Sequence, residues 1–191
     1  MKNFILIMII VVLGGGCAVG PRLDSKKPDE RAKMVDAYLD QFCSPDLRGA
    51  VVGSAIRDVM MRLPADAFVK VVDRRRPVLF TEVYDAGTAK FASSSEIIVG
   101  KSDVPAFQEG MTILKLSTAL NNGPQAAAEG IVAHELAHRV LDHVRRGEVS
   151  CKAEREANRL VKAWGFAAEY KSASDEFGTK KAGGHVASCQ E

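Results

Sequence analysis

Residues 131–143 read IVAHELAHRVLDH, and no other stretch constrains this chain as much. Two histidines bracket a glutamate in the order H-E-x-x-H, inside an apolar run (Ile131, Val132, Ala133, Leu136, Ala137, Val140, Leu141) that reads as one buried helix. On an α-helix, residues four apart lie one turn above each other, so His134 and His138 can offer ring nitrogens to one ion about 2.0–2.1 Å away. Glu135 projects about 100° round the helix from His134, beside such an ion, where it can deprotonate a water without being a ligand. Zinc lowers the pKa of a bound water towards about 7, which supplies hydroxide at neutral pH. Burying two histidines and a glutamate here without partners would be costly, so the pattern predicts a metal site.

A catalytic zinc needs a third protein ligand and an open position. His143 stands five residues beyond His138, about 140° further round a continuing helix, which points it away from the metal face as a surface residue or one behind the ligands. Cys151 is soft enough for zinc, but a thiolate is an unusual companion to this motif, and Glu148 falls in a turn. Glu154 and Glu156, about 200° apart on the next helix, face opposite ways, so one of them looks back at the histidines. Glu154 is favoured because Asn158 lies one turn later on its face and can hydrogen-bond a ligand imidazole. Glu156 instead shares its face with Leu160. The expected centre is one Zn2+ held by His134, His138 and Glu154, with Asn158 behind it and Glu135 as the catalytic residue.

The rest of the chain reads as one domain. It has 191 residues, 47% hydrophobic and 26% charged, the balance of a globular protein. A net charge of +2 and the lack of aromatics interleaved with Arg74–Arg76 and Arg145–Arg146 give no sign of nucleic acid, and both basic runs read as solvated. At the start, Lys2, ten apolar residues at 4–13 and small residues before Cys17 read as a secretory signal over 1–16. Cys17 resembles the lipidated cysteine of a bacterial lipobox, although Gly14 holds the usual leucine position. That resemblance implies a lipid anchor, a tether over 17–28, and a cell-envelope location at the outer membrane facing the periplasm, with plain secretion or an inner-membrane anchor as alternatives. Cys43, Cys151 and Cys189 then remain for one bridge and one buried thiol, with the pairing open.

The domain spans 29–191. Met34, Tyr38 and Phe42 form a helical stripe, and residues 46–63 read as a second helix with Val51, Ala55, Val59 and Leu63 inward, stopped by Pro64. The period then shortens: AFVKVVD, PVLFTEVY, AKFA, EIIVG and MTILKLS read as four or five strands of a mostly antiparallel sheet. A long helix over 124–146 follows, and another from Ser150 as N-cap to Gly165. This order predicts an α+β domain with N-terminal helices, a sheet, an active-site helix and a following ligand-bearing helix.

The runs HELAHRVLDH and EREANRL resemble the gluzincin metallopeptidases, and especially the HtpX and CAAX prenyl protease type. The resemblance covers about residues 110–166 and implies a zincin-like fold, zinc and peptidase activity on peptide or unfolded-protein substrates. It places Glu154 at the family's ligand glutamate and Asn158 where the family has aspartate. It also leaves the oxyanion-stabilising residue open, since no downstream His-Pro pair is present; His185 is the candidate, with Tyr170 as the competing donor. Substrate backbone is expected along an edge strand at 95–99 or 111–117. The rival reading is a non-catalytic zinc-binding envelope lipoprotein acting as a chaperone or interaction module.

Overall fold

A computed structural model describes residues 28–84, 91–98, 107–148 and 150–178. The signal segment, the tether up to residue 27, Cys17, His185, Cys189 and residue 99 lie outside the described residues, while Pro28, expected at the end of the tether, begins a helix. The described residues form an α+β fold of seven α-helices and a three-stranded mixed sheet.

Helix α1 (Pro28–Phe42) buries Val35, Tyr38 and Phe42. Tyr38 and Phe42 are as expected, while Val35 takes the innermost place and Met34 packs at its margin. The helix expected over 46–63 breaks in two, α2 (Pro45–Arg48) and α3 (Val51–Arg62), with Ala50 extended between them. The break lets α3 fold back on α2: a Cβ added at Gly53 would lie 2.0 Å from the Leu47 carbonyl oxygen. Only glycine allows that approach.

The next segment departs from its expected class. AFVKVVD was expected as a strand but lies in helix α4 (Ala65–Val71), with Pro64 as N-cap, Asp66 in the first turn and Ala67, Phe68 and Val71 buried. Its buried residues recur at three to four, a helical period that the β-branched valines disguise. Tertiary burial of Phe68 overrides local propensity.

Strand β1 (Val78–Val83) pairs in parallel with β3 (Met111–Ser117), and β2 (Ala92–Ile97) pairs antiparallel with β3, giving the order β1-β3-β2. The expected mostly antiparallel sheet of four or five strands is therefore corrected, among the described residues, to a mixed sheet of three. Segment 111–117 is the central strand and cannot be an edge; its alternation buries Thr112, Leu114 and Leu116. β2 is an edge, and every residue in it retains some exposure.

After a 3-10 turn (Thr118–Asn122), helix α5 (Gln125–Val140) crosses the core, followed by α6 (Cys151–Ala163) and α7 (Ala167–Phe177). Ser150 caps α6 as expected, its side chain accepting from the Ala153 N–H at 3.2 Å. Gly165, at φ +89°, ends that helix region. α5 stops at Val140 rather than 146: Asp142 takes a left-handed φ of 59° and turns the chain away. α7 was not anticipated. It lies so close to α5 that a Cβ on Gly130 would meet the Glu169 carbonyl oxygen at 2.3 Å. Among the described residues, no helix is long and apolar enough to cross a membrane.

Candidate metal centre

His134 and His138 lie one turn apart on α5, both buried, with their Nε2 atoms 3.1 Å from each other. From the first turn of α6, Glu154 reaches back so that Oε2 lies 3.1 Å from His134 Nε2 and Oε1 3.5 Å from His138 Nε2. These separations test the fit of a cation. Tetrahedral ligands at about 2.0–2.1 Å stand about 3.3–3.4 Å from one another, and the three measured gaps straddle that value. Two imidazoles and a carboxylate also form a donor set suited to zinc.

Electrostatics within the triad are strong. Burial pushes the Glu154 carboxyl up, but hydrogen bonds and charge from His134 and His138 outweigh it and hold Glu154 well below the ordinary carboxylate range. Burial pulls His138 down, yet Glu154 and the charge of Glu135 prevail and raise it. Each shift favours that group's own charged form.

Glu135 is held from outside α5. Ser94, on edge strand β2, lies with Oγ 3.0 Å from Glu135 Oε2 and donates to it. Nothing in the serine run at 93–95 marked Ser94 for this role. Asn158 is buried as its position on α6 implies, but among the described residues its Oδ1 has no hydrogen-bond partner, and neither does His134 Nδ1. These are an acceptor and a potential donor on packed helices, not joined by a hydrogen bond. Tyr170, on α7, stacks on His134 with ring centroids 6.1 Å apart and planes 26° from parallel.

The remaining ligand candidates separate cleanly. Cys151 is disulfide-bonded, so it offers no thiolate, and its partner lies outside the described residues; Cys43 is a buried free thiol pushed up to about 11 by burial. Glu154 and Glu156 do face different groups: Glu156 Oε2 lies 3.1 Å from His143 Nε2. Of the two places expected for His143, the structure takes the one behind the ligands and not the surface, although it does so in a turn and not on a continuing helix. It is fully buried behind His138, with Nδ1 3.0 Å from His138 Nδ1. The expected 140° rotation fails because α5 ends before His143.

The turn that places His143 is locked by a group expected to be solvated. Arg76 is buried, ion-paired to Glu96 on β2 and to Asp142 in the turn. Glu96 also accepts from Thr112 Oγ1 at 2.8 Å, and Arg139 donates to the Arg76 carbonyl at 2.9 Å. The basic run at 74–76 is thus solvated only in part, and Arg76 ties the edge strand to the turn that follows α5. Compared with known proteins, the chain matches no family model, no curated protein and no solved structure.

Proposed function

We propose that the protein is a zinc-dependent metallopeptidase that hydrolyses peptide bonds in the bacterial cell envelope, on a zincin-like domain anchored through Cys17. The convergence of His134, His138 and Glu154 with Glu135 alongside is the observation that carries this reading. Zinc, when bound, would supply Lewis acidity and acidify a water. Glu135 takes the proton of the attacking water and returns it to the leaving amine. Ser94 donates to Oε2 of that carboxylate, which orients it and leaves Oε1 for proton transfer. A catalytic glutamate at this place has no use in a purely structural zinc site, which favours an enzyme over a zinc-stabilised interaction module.

Substrate is expected along β2. Among the described residues β2 is an edge of the sheet, and Ser94 joins it to the Glu135 carboxylate. A peptide added there would present a carbonyl near Glu135. Tyr170, over His134, is the described residue best placed to act on developing negative charge; His185 lies outside the described residues.

The test measures bound zinc and cleavage of a broad peptide library for the wild type, Glu135→Gln and Glu154→Ala. Stoichiometric zinc in the first two, cleavage by the wild type alone, and loss of zinc in Glu154→Ala are expected. Full zinc with no cleavage by the wild type would sink the peptidase reading in favour of a binding module.

A further inference from the structure

Behind His138 runs a chain of polar atoms that the peptidase reading does not use. His143 Nδ1 faces His138 Nδ1 at 3.0 Å, and His143 Nε2 faces Glu156 Oε2 at 3.1 Å. The two rings meet edge to face, 68° apart. Backbone bonds hold His143 in place: its N–H donates to the His138 carbonyl at 3.1 Å and its carbonyl accepts from Glu148 at 2.9 Å.

With His138 and His143 both neutral, proton accounting fixes these two rings. A neutral imidazole carries one N–H, and an ionised carboxylate only accepts. Glu156 therefore draws the His143 proton to Nε2, which leaves His143 Nδ1 bare. A bare nitrogen at 3.0 Å needs a donor opposite, so His138 carries its proton on Nδ1. His138 Nε2 is then bare beside Glu154 and His134, the form in which that ring can bind a cation there, and the Glu154 carboxylate at 3.5 Å is what competes for its proton. His134 has no such support, since its Nδ1 is buried without a partner.

We propose that His143 and Glu156 are positioning residues, a relay in which a carboxylate on α6 sets the tautomer of His143 and, through it, of the metal ligand His138. The proposal rests on the zinc reading of His134, His138 and Glu154. Outer partners of this kind orient a ligand ring and raise its basicity. His143, Glu148 and Glu156 also lie close enough together to suggest a second cation site. Both His143 nitrogens are already engaged, however, while Arg146 pairs with Glu148 at 3.1 Å and Lys152 stands 3.9 Å from Glu156. These groups are neutralised within the protein, which favours the relay.

The experiment uses the full-length protein and two readouts. Nitrogen-15 ring spectra of the metal-free protein report the tautomers directly, and competition with a chelator reports zinc affinity and stoichiometry. The side chain of Glu156 is 30% exposed, so substitutions there leave the core intact. The wild type is expected to show His138 protonated on Nδ1, His143 on Nε2, and one zinc per chain. Glu156→Ala should mix both tautomers and weaken zinc by about 10–100-fold, with Glu156→Gln, which keeps an acceptor, recovering much of the loss. Unchanged tautomers and undiminished zinc affinity in Glu156→Ala would overturn the relay. So would a second zinc in the wild type that Glu148→Ala removes alone. A wild type that binds no zinc but shows both tautomers would remove the metal reading and leave the hydrogen-bonded relay standing.

Discussion

Replacing Gly130 by alanine sets two effects of known sign against each other on α5. In an isolated helix the change stabilises by about 1 kcal/mol, because alanine has the higher helical propensity. Here the new Cβ would lie 2.3 Å from the Glu169 carbonyl oxygen, 2.6 Å from its carbonyl carbon and 2.9 Å from the Ala173 Cβ. Two of those atoms are backbone, so relief requires α7 as a whole to move outward by about 1 Å, since carbon–carbon contacts are optimal near 3.5–4.0 Å. α7 is not free to do so: Arg62 on α3 holds the Glu169 carboxylate at 2.7 Å while also binding Glu129 on α5 at 3.1 Å. Overpacking of this kind costs about 1–3 kcal/mol, and rigid backbone places it at the upper end. The net expectation is a loss of about 1–2 kcal/mol. Urea unfolding of metal-free Gly130→Ala against the wild type measures it. Gly49→Ala, with nothing within 4 Å of the added Cβ, is the control and should stay within about 0.5 kcal/mol. A Gly130→Ala protein as stable as the control, or more so, would refute the close α5–α7 packing on which the position of Tyr170 depends.

Arg76→Met strands the buried Glu96 without its cation and should cost about 3–5 kcal/mol in chemical denaturation, whereas Arg76→Met with Glu96→Leu should recover most of that. Equal losses in the single and double variants would mean the ion pair matters only through packing. Acid stability should depend on Asp142. Burial pushes its carboxyl up, but the Arg76 hydrogen bond and charge outweigh this and lower it. Its contribution is thus present above the unfolded carboxyl value, near about 3.9, and fades as pH falls through the lower folded value. Asp142→Asn, which tolerates the left-handed backbone, should flatten the stability–pH curve in that acid window; an unchanged slope counts against the pairing.

The clustering of His134, His138 and Glu154 was legible in the sequence. The four-residue spacing of His134 and His138 is local helical geometry and needed only that α5 form. Ser150 as a cap set the phase of α6, which brings Glu154 to His134 as expected, but Glu156 also meets a histidine, His143, instead of turning away. What failed were readings that depended on where elements end or what covers them. AFVKVVD became a helix because Phe68 had a core to enter, and MTILKLS became central because β2 lies on its far side. Ser94 was invisible because no local pattern says which serine of three faces Glu135.

His143 marks the boundary between the two kinds of information. Its identity and its five-residue distance from His138 are sequence facts, and on an unbroken helix they send it outward. The tertiary structure ends α5 at Val140, turns the chain at Asp142 and clamps that turn with Arg76, a residue sixty-six positions upstream. Repeating helical geometry is written in neighbouring residues; the end of a helix and the burial of a side chain are decided by partners far along the chain.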